Sequence, residues 1–395
     1  MNLLVWLALA SFIAIAYTYI GYPLVICMLA KLSPKPWLRA PYATTVSVVI
    51  AARNGGSMLS RQLARLAHMP DENLREIIVV SDGSTDNTVE ILRNCKDERL
   101  KFIVLDAHEG KSSALNHAIA QATEEILLFL DVRPTMNASA LSRLVENFAD
   151  PAVGCATGQL LLNRDGHDAS TSAVNGLYWR YEQWIRNCES AWDSPLGVYG
   201  GFYAIRRSLA TAFPSGLILD DMFQPLAVTR QGFRSVIDKT AIVTDTWPTN
   251  IRDEFGRKVR TLAGNYQLLA GQTWILCPTN RLWFQLVSHK MLRLVMPYCF
   301  ITLLISSMAL AIHHKEWIAF AAAQWSFWTM ACIGTRLRIP GIFRLSSAAG
   351  AFLVVNAAAV VGLYRFLFTA GPLLNIWTTS DKALPPAPKK ASASA

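Results

Sequence analysis

The sequence predicts a Rossmann-like α/β domain with a mainly parallel sheet, set between one N-terminal and about three C-terminal transmembrane helices. Three observations carry that expectation. Residues 3–30 contain no charge, short apolar runs alternate with amphipathic helical patterns from 45 to about 250, and long apolar segments return after residue 291. The composition agrees: 52% of the 395 residues are hydrophobic, 16% are charged and the mean hydropathy is +0.27, values that point to a membrane. The net charge of +9 comes without a dense basic run interleaved with aromatics, so nucleic acid is not an expected partner. Anionic lipid and phosphorylated substrates explain the excess of cations better. The seven cysteines show no metal spacing and the seven histidines form no ligand cluster, so a zinc site is not expected.

Residues 1–30 read as a retained transmembrane helix, because no basic leader or small-residue cleavage site bounds a shorter apolar core. A basic, proline-containing linker spans 31–44. In 45–250, "VSVVIAA" (46–52), "EIIVVSDGS" (76–84), "KFIVLDA" (101–107) and "EILLFLD" (125–131) are apolar runs ending in polar turns. Patterns such as "SMLSRQLARLA" and "STDNTVEILRNC" lie between them as helices, the alternation of βαβ units. Ligands bind such sheets beyond the carboxyl ends of the strands, where Asp82 and Asp131 fall. Residues 251–290 read as amphipathic, interfacial helices. Within 291–371, the segments 292–312, 316–334 and 346–370 are three further spans, and 372–395 is expected to be disordered. Lys31, Lys35 and Arg39, then Arg281, Lys290 and Arg293, then Arg336, Arg338 and Arg344 flank these segments. The positive-inside rule puts them, and the domain they adjoin, in the cytoplasm.

Four stretches could carry chemistry. In "VVSDGSTDNT", Asp82 ends a strand before a Gly-Ser turn, either as an ordinary turn acid or as an acceptor for a nucleobase or ribose. Gly110-Lys111-Ser112 is not a phosphate loop, since the required glycine at 105 is Leu105, but Lys111 remains a point charge suited to a diphosphate. Asp220-Asp221 are adjacent acids: one can act as a general base, or both can suit a helix N-terminus. Arg257 and Arg260 share a helix face and suit either a leaving pyrophosphate or lipid headgroups.

In order and spacing these pieces resemble the membrane-embedded synthases of glycosyltransferase family 2, of GT-A fold, such as chitin-oligosaccharide, hyaluronan, cellulose and poly-N-acetylglucosamine synthases. The resemblance implies an inverting transfer from a nucleotide sugar, a UDP-sugar by the family's habit, to a growing exopolysaccharide or to a lipid-linked acceptor. It also implies a bacterial inner membrane with a cytoplasmic catalytic domain. Asp82 then corresponds to the base-contacting acid, with Ala52, Arg53 and Asn54 bordering the nucleotide, and Lys111 joins the donor site. Asp131 matches the first acid of D-x-D and would help hold Mg²⁺ or Mn²⁺. Leu219-Asp220-Asp221 stands at T-E-D, making Asp221 the general base with Asp220 beside it. Gly200, Gly201, Phe202 and Tyr203 in "YGGFYAIRR" resemble the acceptor-lining segment. Arg257 and Arg260 lie at Q-x-x-R-W and would contact the pyrophosphate. Three departures stand out: Arg133 replaces the second D-x-D acid, Arg257 the glutamine and Thr261 the tryptophan. The first predicts weaker metal dependence, with Arg133 taking over phosphate neutralisation. The other two remove a stacking surface associated with chain extension, so polymer synthesis is not assumed and a single-addition enzyme is one alternative; a catalytically inactive nucleotide-binding subunit, its metal motif lost at Arg133, is another.

Overall fold

The computed structural model describes residues 3–69, 72–163, 169–246, 251–335 and 343–368. The expected disordered tail, the loop residues Arg336 and Arg338 and the side chain of Arg344 lie outside the described residues.

Eight strands form one sheet in the order β3-β2-β1-β4-β7-β6-β8-β5. They are β1 (Val46–Ala52), β2 (Leu74–Asp82), β3 (Leu100–Leu105), β4 (Ile126–Leu130), β5 (Thr135–Met136), β6 (Val153–Asn163), β7 (Phe202–Arg206) and β8 (Arg234–Thr246). The apolar runs are nearly continuous because the sheet is covered on both faces. Val46, Val48 and Ile50 pack with Leu59, Leu63 and Leu66 of α3 (Gly56–Ala67) on one face. Val49, Ile78 and Val80 pack with Ala114, Leu115 and Ala118 of α5 (Lys111–Gln121) on the other. α4 (Thr88–Asn94) joins β2 to β3, and α6 (Ala140–Val145) follows β5.

The expected mainly parallel sheet is mixed. β3, β2, β1 and β4 run parallel, as does β6 with β8. β7 is antiparallel to both β4 and β6, and β5 is antiparallel to β8. The reason is local: β7 starts where β4 ends, with Leu130 opposite Phe202 and the Asp131 amide donating to the Gly201 carbonyl at 3.2 Å. That reversal brings the 197–201 loop to the edge where the parallel strands end.

Among the described residues, three helical segments are long and apolar enough to cross a membrane: Leu3–Leu32, Trp283–His313 and Leu345–Phe368. The first comprises α1 (Leu3–Ala16), a π-helical turn (Tyr17–Gly21) and α2 (Tyr22–Leu32). The second comprises α10 (Trp283–Gln285), a π-helical turn (Leu286–Met291) and α11 (Leu292–His313). Between it and α13 (Phe343–Phe368) lies α12 (Ile318–Gly334), whose 17 residues span only about 26 Å, short of a typical ~30 Å hydrocarbon core. α1 packs on α11, and α12 on α13.

α9 (Ile251–Gly271), expected to be interfacial, is clasped between α13 and the domain: Val259, Ala263 and Leu268 are buried, and Gln267 bonds Ile218 and Gly216. α7 (Ala169–Trp192) and the segment just after it dock the domain on the basic flanks of the spans. Glu182 pairs with Lys290 and Arg293, and Asp193 with Lys35 and Arg281.

Candidate active site

The parallel half of the sheet delivers three loops to one edge. Ala52 ends β1 and is buried, Asp82 ends β2, and Asp131 directly follows β4. Lys111 begins α5 on the same edge. Its position is set by Gly110, whose φ of +97° is a conformation other residues resist, and by Asp82. The Asp82 carboxylate accepts the Glu109 amide at 2.7 Å, the Gly110 amide at 3.0 Å and His108 Nδ1 at 2.7 Å. These bonds make Asp82 the acid that builds the turn launching Lys111, and its Oδ1, with one bond, keeps acceptor capacity for the expected base contact. Beside this turn, two buried polar atoms lack partners, Arg53 Nε and His108 Nε2. Asn54 holds a positive φ of 48° and spends its side-chain oxygen on the Thr85 amide at 2.8 Å, so it braces the loop.

The acids meet at Lys111. Its ammonium lies 3.0 Å from Asp131 Oδ1 and 3.1 Å from Asp220 Oδ2. Burial alone would lower the Lys111 pKa, but Asp131 and then Asp220 hold it above the ordinary lysine range. α8 (Asp220–Arg230) starts with the two acids in its first turn, where the helix dipole favours them. Burial pushes the Asp220 carboxyl up to about 6, opposed by Lys111 and reinforced by its neighbour Asp221. Asp221 is raised too, again chiefly by burial, with Lys111, Arg186, Lys290 and Arg260 pulling the other way. A buried carboxylate with an elevated pKa, set among cations, can accept a proton from a hydroxyl near neutral pH. Arg260 is within electrostatic reach of Asp220, Asp131 and Asp221, and Arg257 lies beside Arg133 and Arg260 at the rim.

The loop from β7 completes the edge, with roles that differ from expectation. Phe202 and Tyr203 are fully buried, and Tyr203 stacks on Phe129 at 4.5 Å, so they are core residues and do not line an acceptor site. Gly200 is needed for space: a Cβ there would fall 2.9 Å from the Asp221 Cβ. A Cβ at Gly201 would collide with Tyr199 and Pro134. Arg133, expected to neutralise phosphate at Asp131, instead pairs with Asp245 at 2.8 Å, and the Tyr199 hydroxyl donates to Asp245 at 3.1 Å. The guanidinium is thus tethered to β8 because the buried Asp245 needs a counter-charge. Tyr199 heads the "YGGFYAIRR" segment, whereas Asp245 and Arg186, which donates to the Gly197 carbonyl at 2.5 Å, were not foreseen from sequence. Nothing local marks them; only the β7 reversal and the docking of α7 bring them here. Among the described residues no group of three or more His, Cys, Asp or Glu is arranged to hold a metal ion.

Comparison with known proteins follows this geometry. Residues 47–211 match the model of glycosyl transferase family 2. A poly-beta-1,6-N-acetyl-D-glucosamine synthase of Staphylococcus aureus (strain COL) is 22% identical over 261 residues, covering 64% of this chain. The match spans 62% of that relative's length. The Staphylococcus epidermidis enzyme of the same name is 22% identical over 315 residues, covering 73% of this chain and 75% of that one. Among solved structures, a mannosyltransferase of Pyrobaculum calidifontis in complex with GDP-Man and Mn²⁺ superposes with a TM-score of 0.72 at 22% identity. It covers 93% of this chain and all of its own, and the fold they share is of the GT-A type.

Proposed function

We propose that the protein, whose residues 47–211 match the glycosyl transferase family 2 model, moves a sugar from a nucleotide sugar to a growing cell-surface or exopolysaccharide glycan at the membrane. One observation carries the reading. Lys111 bridges Asp131 and Asp220 where the parallel strands end, and Asp221 is the next residue along. The domain match and the two staphylococcal synthases support transfer to a polysaccharide, and the donor in this reading is a UDP-sugar.

The chemistry follows from these residues. The donor lies across the ends of β1, β2 and β4, its base against Ala52, Arg53 and the His108 turn, its diphosphate toward Lys111, Arg257 and Arg260. The acceptor hydroxyl approaches from the 197–201 loop. Asp221 takes its proton as the oxygen attacks the anomeric carbon from the face opposite the leaving group. The bond to the diphosphate breaks, the nucleoside diphosphate departs with the electron pair, and configuration inverts. Cations fixed around the leaving group stabilise the charge that develops there. The buried floor of β7 and α8 keeps water from competing with the acceptor.

The solved relative holds Mn²⁺, and Mg²⁺ or Mn²⁺ on Asp131 is what its fold suggests. The residues here do not fit that ion. The position two residues on is Arg133, already tethered to Asp245, and Asp131 faces an ammonium. No step is therefore drawn through a metal. In this reading the site lies at an inner-membrane surface, with membrane lipids around α1, α11 and α13. Lys35, Arg281, Lys290 and Arg293 pair with the catalytic domain, which supports a position for it on the positively charged, cytoplasmic side. Export of the product between the spans would follow from that arrangement.

The test is detergent-purified protein incubated with a panel of nucleotide sugars, with mass spectrometry of the products. A ladder of products is expected. One added sugar would replace the synthase reading with a single-addition enzyme on a lipid-linked acceptor. Asp221→Asn should lower transfer by about 10²–10⁴-fold with donor binding kept. Full activity in that variant would remove Asp221 as the base.

A further inference from the structure

Resting on that donor-site reading, we propose that Lys111 is the built-in counter-ion of the donor diphosphate, doing here what a divalent cation does in other enzymes of this fold. Three features of the chain converge on it. The ammonium occupies the space between the two carboxylates that could clasp a metal, 3.0 Å from Asp131 and 3.1 Å from Asp220. A divalent ion placed between those acids would sit against a fixed positive charge and would have to displace it. The second acid of the motif is absent, and Arg133, which stands in its place, is committed to Asp245. Lys111 is also placed by the backbone, since Gly110 and the three hydrogen bonds to Asp82 fix the start of α5. Its side chain is only 19% exposed, whereas Asp131 is 38% exposed. The open side of the cluster is therefore the Asp131 side, where a diphosphate reaches the ammonium.

The substitution makes chemical sense. An ammonium is a compact point charge with three donors, suited to bridging phosphate oxygens while keeping one contact to a carboxylate. Asp131 and Asp220 then act as the frame that keeps Lys111 charged and aimed. Arg257 and Arg260 at the rim add the further charge that a diphosphate leaving group requires.

The test measures binding of UDP and of GDP to the detergent-purified full chain by calorimetry, once in EDTA and once in MnCl₂. Wild type is expected to bind one of them with an affinity that changes less than about threefold between the two buffers. Lys111→Met should bind roughly thirtyfold more weakly in EDTA and regain about tenfold with Mn²⁺, because the freed Asp131 and Asp220 can now take the ion. Lys111→Arg, which keeps the charge, should stay insensitive to the metal. Electron spin resonance of Mn²⁺ alone gives a second readout: no tight site in wild type, and a new one in Lys111→Met. Binding by wild type only in the presence of Mn²⁺ would overturn the proposal while leaving the donor site in place. Equal binding by Lys111→Met and wild type in EDTA would also overturn it. Binding of neither nucleotide in either buffer would overturn the donor-site reading and the proposal with it.

Discussion

Two places in the molecule repeat one motif, a basic side chain between two carboxylates, with opposite consequences. At the strand ends, Lys111 joins Asp131 to Asp220, and the Asp131 side chain is 38% exposed. At the junction with the spans, His289 joins Glu189 at 2.7 Å to Glu182 at 3.1 Å, and the histidine is completely buried. The junction acids have partners to spare. Glu182 also binds Arg293 and Lys290, and Glu189 takes the Tyr22 hydroxyl at 2.6 Å. Those partners reach the two α7 acids from α2, the turn before α11 and α11 itself, and the Tyr17 hydroxyl meets Ser288 at 2.8 Å where the two π-helical turns face each other. A network sealed from solvent is a joint. The open cluster at Lys111, with carboxylates raised by burial and a face toward solvent, is a site. Access separates the two, because a ligand can compete only for groups that are reachable.

Breaking the joint tests this first and should give the largest effect on the fold. His289→Leu strands two buried carboxylates from their shared partner, a loss that typically costs about 3–5 kcal/mol. The expected outcome is a much lower unfolding midpoint in detergent, with kcat of the still-folded fraction changed by less than about twofold. An unchanged midpoint together with lost transfer would reverse the assignment and make the junction part of the machinery.

The site should respond the other way, losing rate while keeping stability. Gly200→Ala puts a methyl group 2.9 Å from the Asp221 Cβ, so the base must shift or the 197–201 loop must yield. Misplacing a catalytic group by about 1 Å costs on the order of 10²-fold in rate, so kcat should fall by about that much with donor KM nearly constant. A variant with normal kcat would show that Asp221 tolerates displacement and is not the acting base.

The comparison also explains what could be read from the sequence. The parallel half of the sheet was legible because βαβ alternation and apolar runs are local patterns, and Asp131, Lys111, Asp220 and Asp221 stand at element boundaries such patterns mark. The antiparallel β7 was not legible, since "FYAIR" is a short apolar run whose direction depends on pairing with β4 and β6. That single reversal accounts for the misread Phe202 and Tyr203, which look like a loop motif in sequence and are core in space. Asp82 was found in the right place, but its part in building the Lys111 turn was not visible, because the amides of Glu109 and Gly110 that bond it lie on a different loop. Arg133 was taken for the cation beside Asp131, because pairing with Asp245 crosses 112 positions of sequence. His289 falls in the segment 251–290 read as amphipathic and was not singled out, since nothing in its neighbourhood reveals two glutamates on α7.

The smallest effect is electrostatic, and it sharpens the contrast most directly. Lys111 pulls down the pKa of both Asp220 and Asp221 against the burial that raises them. Removing it should move the acidic limb of the kcat/KM profile of residual activity to higher pH by up to about one unit in Lys111→Met, whereas Lys111→Arg should leave it in place. Stability gives the independent check. The folded Asp220 carboxyl, at about 6, lies above its ordinary 3.8. Its contribution is therefore fully present below about pH 4 and is lost as pH rises through about 6. Wild type should lose stability relative to Asp220→Asn across that interval, by roughly 1.4 kcal/mol for each unit of upward displacement. Chemical denaturation of both proteins at pH 4, 5, 6 and 7 measures the gap. A gap that stays flat, or that closes as pH rises, would mean that Asp220 is charged and comfortable in the fold. The Lys111 cluster would then be a second joint and no site.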